Sequence, residues 1–126
     1  QLHGHSYKLF VTLKGEALNS SESPKDGMLA DFRDLKDMVG RAVIGKFDHA
    51  LVLMEGTPLS QELSAAYTNV IILPFRPTSE NLISHFASLI KGEMESDPKF
   101  VHTRLFSIKL HETATSFVEW FAEDNQ

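Results

Sequence analysis

The sequence predicts an α+β domain. Three observations carry that expectation: apolar residues alternate near both ends of the chain, two internal stretches place them at helical spacing, and turn-rich segments separate these runs. The chain has 126 residues and is 42% hydrophobic, enough for one packed core, so residues 1–126 are expected to form a single domain.

The elements follow in order. From His5 to Leu13 the residues alternate, with Tyr7, Leu9, Val11 and Leu13 on one side and Lys8, Thr12 and Lys14 on the other. That is a strand with one buried face, on which Phe10 is the exception. Glu16 to Gly27 contains NSSESPKDG, a turn-rich connection, and Gly27–Ala30 is a short strand candidate. Asp31 reads as a helix N-cap. Phe32, Leu35, Met38, Val39, Ala42 and Val43 then follow at helical spacing, giving an amphipathic helix that ends near Gly45. FDHALVLMEG is an apolar segment interrupted by Asp48-His49, residues 59–66 suit a short helix, and Val70–Leu73 suits a short strand. Pro74 and Pro77 bracket a turn, after which Thr78 or Ser79 can cap a second long helix with Glu80 in its first turn. Its buried stripe is Leu82, Ile83, Phe86, Leu89 and Ile90. ESDPK is a loop, Arg104–Glu112 alternates with Phe106, Ile108 and Leu110 facing one way, and Thr115–Phe121 completes a hairpin.

Composition narrows the function classes. A net charge of −5 argues against a nucleic-acid binder, because phosphate contacts need clustered Lys and Arg. There is no cysteine, which excludes a disulfide framework and a thiolate zinc site within these residues. No apolar run approaches the ~20 residues of a membrane span. With no signal peptide in view, a cytoplasmic protein is expected.

Three places set polar residues on apolar faces. His3 and His5 share the parity of Tyr7 and Leu9, so both imidazoles point inward and can reach one metal ion. The bland reading is two ordinary histidines at a strand start. Asp48 and His49 interrupt an apolar segment. An aspartate that orients an imidazole makes a general acid/base, whereas a helix-end turn explains the same dipeptide without chemistry. Glu112 ends the inner face of its strand. It can accept from a ligand with two adjacent N–H donors, or simply mark where the strand reaches solvent. His85 lies beside the helical stripe and reads as a surface residue, and His102 and His111 lie off the apolar side.

In combination these pieces are more specific. LHGHSYKL, DGMLADFRDLK, FDHALVL, PTSEN and LHETATSFVEW occur in an order that resembles the 6-pyruvoyltetrahydropterin synthase family, over Leu2 to about Trp120. That family includes the bacterial 6-carboxytetrahydropterin synthases of queuosine biosynthesis. The resemblance implies a tunnelling fold: an antiparallel four-stranded sheet with two helices on one face, closed by three subunits into a barrel, with trimers stacking as hexamers. It implies Zn²⁺ held by three histidines, two of them matching His3 and His5. It also implies proton transfer by Asp48 and His49, and a pterin ring anchored by Glu112 near Thr78 and Ser79. The implied substrate is 7,8-dihydroneopterin triphosphate, with Mg²⁺ as a companion of the triphosphate.

The match departs from the family at its start. The third zinc histidine and the catalytic residue, cysteine or in one branch glutamate, precede the HGH motif and so are expected upstream of Gln1. The domain is therefore expected to be N-terminally incomplete. The leading expectation is a zinc-dependent lyase that forms 6-carboxy-5,6,7,8-tetrahydropterin. The enzyme alternatives are 6-pyruvoyltetrahydropterin synthase itself and the branch that forms 6-hydroxymethyl-dihydropterin. A non-catalytic pterin-binding paralogue is the alternative of another class.

Overall fold

The first strand, β1, runs from Lys8 to Gly15, and its alternation is the one read from the sequence. Leu9, Val11 and Leu13 turn toward the core, while Lys8, Phe10, Thr12 and Lys14 are exposed. The computed structural model describes residues 7–15, 30–47, 51–54 and 70–125. The candidate short helix at 59–66 lies outside the described residues, as does the candidate strand Gly27–Ala30 except for Ala30, which sits in a bend.

Asp31 caps the first helix as expected: its carboxylate accepts from the Arg33 N–H at 2.8 Å, satisfying a donor the helix cannot. Helix α1, Phe32–Val39, opens a helical segment that ends at Phe47, near Gly45 as expected. It continues through a π-helical turn, Gly40–Ile44, into a last turn, α2, Gly45–Phe47. The Gly45 N–H donates to the Gly40 carbonyl five residues back, the π-type bond. A Cβ on Gly45 would stand 2.9 Å from that same oxygen, so glycine permits the close approach. Met38, Val39, Ala42 and Val43 are buried as the periodicity predicts. Phe32 is not: it is 76% exposed, because it occupies the first helical position, ahead of the turns whose stripe enters the core.

Strands β2, Leu51–Met54, and β3, Val70–Leu73, form a parallel pair, Leu51 opposite Val70 through Met54 opposite Leu73. Sequence pattern gave β3 but not the pairing, because a parallel ladder depends on a crossover rather than on local alternation. Thr78 caps helix α3, Ser79–Ser96, its hydroxyl accepting from the Asn81 N–H at 3.2 Å. Leu82, Ile83, Phe86 and Ile90 are buried on the face that packs against the sheet. ESDPK holds more order than a loop: Asp97 caps a 3₁₀ turn, Pro98–Phe100, and also pairs with Arg41 at 3.3 Å, tying the end of α3 to the π-helical turn.

The chain then returns as β4, Thr103–His111, and β5, Phe117–Phe121, before a closing 3₁₀ turn, Ala122–Asn125. β4 is central in an antiparallel sheet of order β1-β4-β5. Its register sets Leu9 opposite Leu110 and Val11 opposite Ile108, which in turn faces Trp120 across β5. Between Thr12 and Leu13 the register slips by one residue. This bulge corrects the expected pattern, because it turns Leu105 into the core and Phe106 out of it. Phe106 instead meets Phe121 edge-on at 6.0 Å and carries Lys14 Nζ 3.7 Å above its ring.

The result is an α+β layer arrangement with an antiparallel sheet and two long helical segments on one face. Ile108 and Leu110 lie at the centre of the core, 0% and 1% exposed. Among the described residues no helix is long and apolar enough to cross a membrane.

Candidate functional site

Of the polar residues singled out by the sequence, Thr78, Ser79 and Glu112 are described, and they stand where regular elements begin or end. Glu112 follows the last residue of β4 and opens the connection to β5. That connection is a built turn. The Glu112 N–H donates to the Ser116 carbonyl at 2.9 Å, and the Thr113 hydroxyl accepts from the Ser116 N–H at 3.0 Å and the Thr115 N–H at 3.4 Å. A threonine hydroxyl that binds backbone amides two and three residues on is a local turn former. Thr113 therefore fixes the backbone from which Glu112 projects. Sequence reasoning passed over it, although the Thr-x-Thr-Ser run carries the signal.

Glu112 is half-buried. Lys8 pairs with His111, so Tyr7 is carried to the neighbourhood of Glu112 at the sheet's end. Their proximity is felt electrostatically: burial first, and the Glu112 carboxylate second, push the Tyr7 phenol above its ordinary value. Tyr7 is a further residue of this end that the sequence presented only as part of an apolar stripe.

The N-terminus of α3 carries the second group. Thr78 has extended backbone and spends its hydroxyl on the cap, while Asn81 Nδ2 donates back to the Arg76 carbonyl at 2.9 Å. Ser79 is the one buried polar side chain among the described residues, and its Oγ has no hydrogen-bond partner. A buried hydroxyl without a partner costs free energy, about 1–3 kcal/mol, which a ligand's donor or acceptor recovers. Thr78 and Ser79 thus divide the labour: one hydroxyl holds the helix, the other stays available.

His3, His5, Asp48 and His49 lie outside the described residues, so the structure assigns none of them a position. Among the described residues no group of three or more His, Cys, Asp or Glu is placed to hold a metal ion. As donors, the two imidazoles of His3 and His5 suit Zn²⁺ in chemical type, and a zinc site built on them needs at least one more ligand. His85 departs from its expected surface role. It sits half-buried on α3 between the rings of Phe47 and Phe75, and burial first, then the Lys46 ammonium, push its imidazole below the ordinary value.

The sheet face away from the helices bears a shallow groove of about 260 Å³, lined by Phe10, Thr12, Ser107, Lys109, His111 and Glu119. Here His111 packs between Phe10 and Phe117 at ring distances of 5.4 and 5.1 Å, on the outer side as its parity requires. Of the described site residues expected from the sequence, Thr78, Ser79 and Glu112, none lines it.

Comparison with known proteins extends these observations. The profile of the family described as 6-pyruvoyl tetrahydropterin synthase matches residues 1–123. A Haemophilus influenzae protein named 6-carboxy-5,6,7,8-tetrahydropterin synthase is 31% identical over 123 residues, covering 94% of this chain and 81% of its own. A Rickettsia bellii protein of the same name is 36% identical over 120 residues, with the same coverage of 94% and 81%. An Aquifex aeolicus protein, again so named, is 31% identical and covers 97% of this chain and 75% of its own. In three dimensions the chain is similar to an uncharacterized protein of Wolinella succinogenes. The TM-score is 0.71 at 21% identity, over 96% of this chain and 79% of that one, a likeness of fold.

Proposed function

The chain belongs to the 6-pyruvoyl tetrahydropterin synthase family, and from that premise we propose that it converts 7,8-dihydroneopterin triphosphate to 6-carboxy-5,6,7,8-tetrahydropterin in a zinc-dependent reaction. The names of the relatives favour this branch. The observation that supports it most within the molecule is Glu112, a half-buried carboxylate on a turn held by Thr113, at the end of the central strand.

In this reading Glu112 is the ring anchor. Both oxygens of an ionised carboxylate accept, which matches two adjacent N–H donors of an amino-pyrimidinone ring. Binding so far from the reacting carbons supplies position rather than chemistry. The unpaired Ser79 hydroxyl and the amino end of α3 would offer further polar contacts to a bound pterin. His3 and His5 would hold zinc, which supplies Lewis acidity toward the side-chain oxygens of the substrate. Asp48 would orient His49, and the His49 imidazole would take or return the proton exchanged at the substrate's side-chain carbon. Water would be consumed, triphosphate would leave, the first side-chain carbon would remain as the carboxyl, and the two outer carbons would leave as acetaldehyde. The protein is expected to work as a trimer or hexamer in the cytoplasm, with Mg²⁺ accompanying the triphosphate.

The test is product identification. The full-length protein is incubated with Zn²⁺ and 7,8-dihydroneopterin triphosphate, and the products are read by mass. Formation of 6-carboxy-5,6,7,8-tetrahydropterin with one equivalent of acetaldehyde is the expected result. A pyruvoyl or hydroxymethyl product would overturn the branch, and intact substrate bound without turnover would leave a pterin-binding module.

A further inference from the structure

The antiparallel ladder of β1 and β4 ends on the pair Lys8 and His111. One step further along the same register, Tyr7 stands opposite Glu112. Glu112 keeps the line of β4, because its N–H donates to the Ser116 carbonyl and carries the β4–β5 pairing one residue past His111 and Phe117. Side chains two residues apart on a strand share a face. Tyr7 and Glu112 therefore follow Leu9 and Leu110 onto the face that carries the helices. Cross-strand neighbours of this kind have Cβ atoms about 4.5–5.5 Å apart. The carboxylate is accordingly felt at the phenol.

This last pair differs from those before it. Leu110 is 1% exposed, whereas Tyr7 is 43% exposed. The core thus closes before the sheet ends, and an open aromatic ring is left beside a half-buried carboxylate. A carboxylate alone holds a flat heterocycle by one edge. Two N–H···O bonds fix that edge and leave the plane of the ring free to swing about it. A contact to the ring's face is what sets the plane. Strand side chains stand roughly perpendicular to the sheet, and tyrosine is longer than glutamate. A ring held edge-on by Glu112 therefore has the Tyr7 ring beside it, in the offset stack that aromatic faces prefer and by which aromatic side chains fasten nucleobases.

We propose that Tyr7 is a substrate-binding residue, its ring forming the wall against which the face of the pterin lies while Glu112 holds the edge. The proposal rests on the reading of Glu112 as the ring anchor given above. The two residues divide the recognition: Glu112 sets which hydrogen-bonding edge is read, and Tyr7 sets how wide and flat the ligand must be.

Calorimetric titration of the full-length protein with 7,8-dihydropterin tests this. Tyr7→Leu keeps apolar bulk and removes the ring, and Tyr7→Phe keeps the ring and removes the hydroxyl. Both variants should keep a Tm within a few degrees of the wild type, since Tyr7 lies outside the buried core. Tyr7→Leu is expected to weaken binding about tenfold, within the usual worth of one base–aromatic stack. Tyr7→Phe should stay within about twofold of the wild type. A Tyr7→Phe as weak as Tyr7→Leu would overturn the proposal, because the hydroxyl rather than the ring would then carry the effect. A double-mutant cycle separates contact from support. In a Glu112→Gln background, Tyr7→Leu should still cost about tenfold, and loss of that effect would mean that Tyr7 acts only by holding Glu112. Zinc content is read alongside, and its loss in Tyr7→Leu would trace the effect to the neighbouring His5 instead. If the wild type binds dihydropterin and Tyr7→Leu binds it equally well, the proposal fails and the reading of Glu112 stands. If the wild type binds none, that reading fails and the proposal falls with it.

Discussion

The interior of the sheet and its ends obey different rules. Along β1, β4 and β5 the apolar residues alternate, and the register stacks Leu9 on Leu110 and Val11 on Ile108 beneath α3. There a side chain is placed by packing, and almost any loss of volume is felt. At the ends, where β4 stops at His111 and α3 starts at Ser79, the pattern gives out. Side chains there are placed by hydrogen bonds to a few backbone groups, and they are free to meet a ligand. The contrast teaches where to look: Glu112 sits one residue beyond β4 on a turn held by Thr113, and Ser79 opens α3 beside its Thr78 cap.

The sharpest break of the contrast is at the metal. The double variant His3→Ala/His5→Ala should lose stoichiometric zinc, read by metal analysis after gel filtration. Full retention would remove both residues from the metal reading. Next comes the core. Ile108→Ala should lower unfolding stability by about 2–5 kcal/mol in denaturant titration, through lost burial and the cavity left behind. A loss under about 1 kcal/mol would mean that this strand is not the centre of packing. Thr78→Ala should cost about 1 kcal/mol by the same titration, the usual worth of a helix cap. An unchanged midpoint would show that the hydroxyl is not the cap.

The smallest effect expected is on acid stability. Burial and Lys46 lower the folded pKa of His85 below its ordinary 6.5. The unfolded chain then takes up this proton first, so the stability tied to neutral His85 is present above about pH 6.5 and is lost as pH falls toward the folded value. His85→Phe should flatten that part of the pH–stability curve, measured by thermal unfolding from neutral pH downward. An identical curve in the variant would place the loss on other groups.

How much of this was legible in advance follows the same division. The alternation in β1 and the spacing in α3 gave their faces, because periods of 2 and 3.6 are written in consecutive residues. Asp31 and Thr78 gave the helix starts for the same local reason. Phe106 was misassigned because a one-residue bulge leaves no mark in the alternation ahead of it. The β2–β3 pairing and the ring contacts of His85 join residues distant in the chain, which no window of sequence displays. For the site, Glu112 was legible as a carboxylate at the end of an apolar parity, but its support by Thr113 and its neighbour Tyr7 were not, since both depend on the turn and the register.

The claim that the core holds the fold while its ends hold the ligand is tested most directly at Glu112. Glu112→Ala is examined by thermal unfolding, zinc analysis and calorimetric titration with a dihydropterin. The account predicts a Tm within a few degrees of the wild type, unchanged zinc, and pterin affinity weakened by about 10- to 100-fold, the worth of a charge-assisted hydrogen-bond pair. Unchanged pterin affinity in a folded, zinc-loaded variant would contradict it.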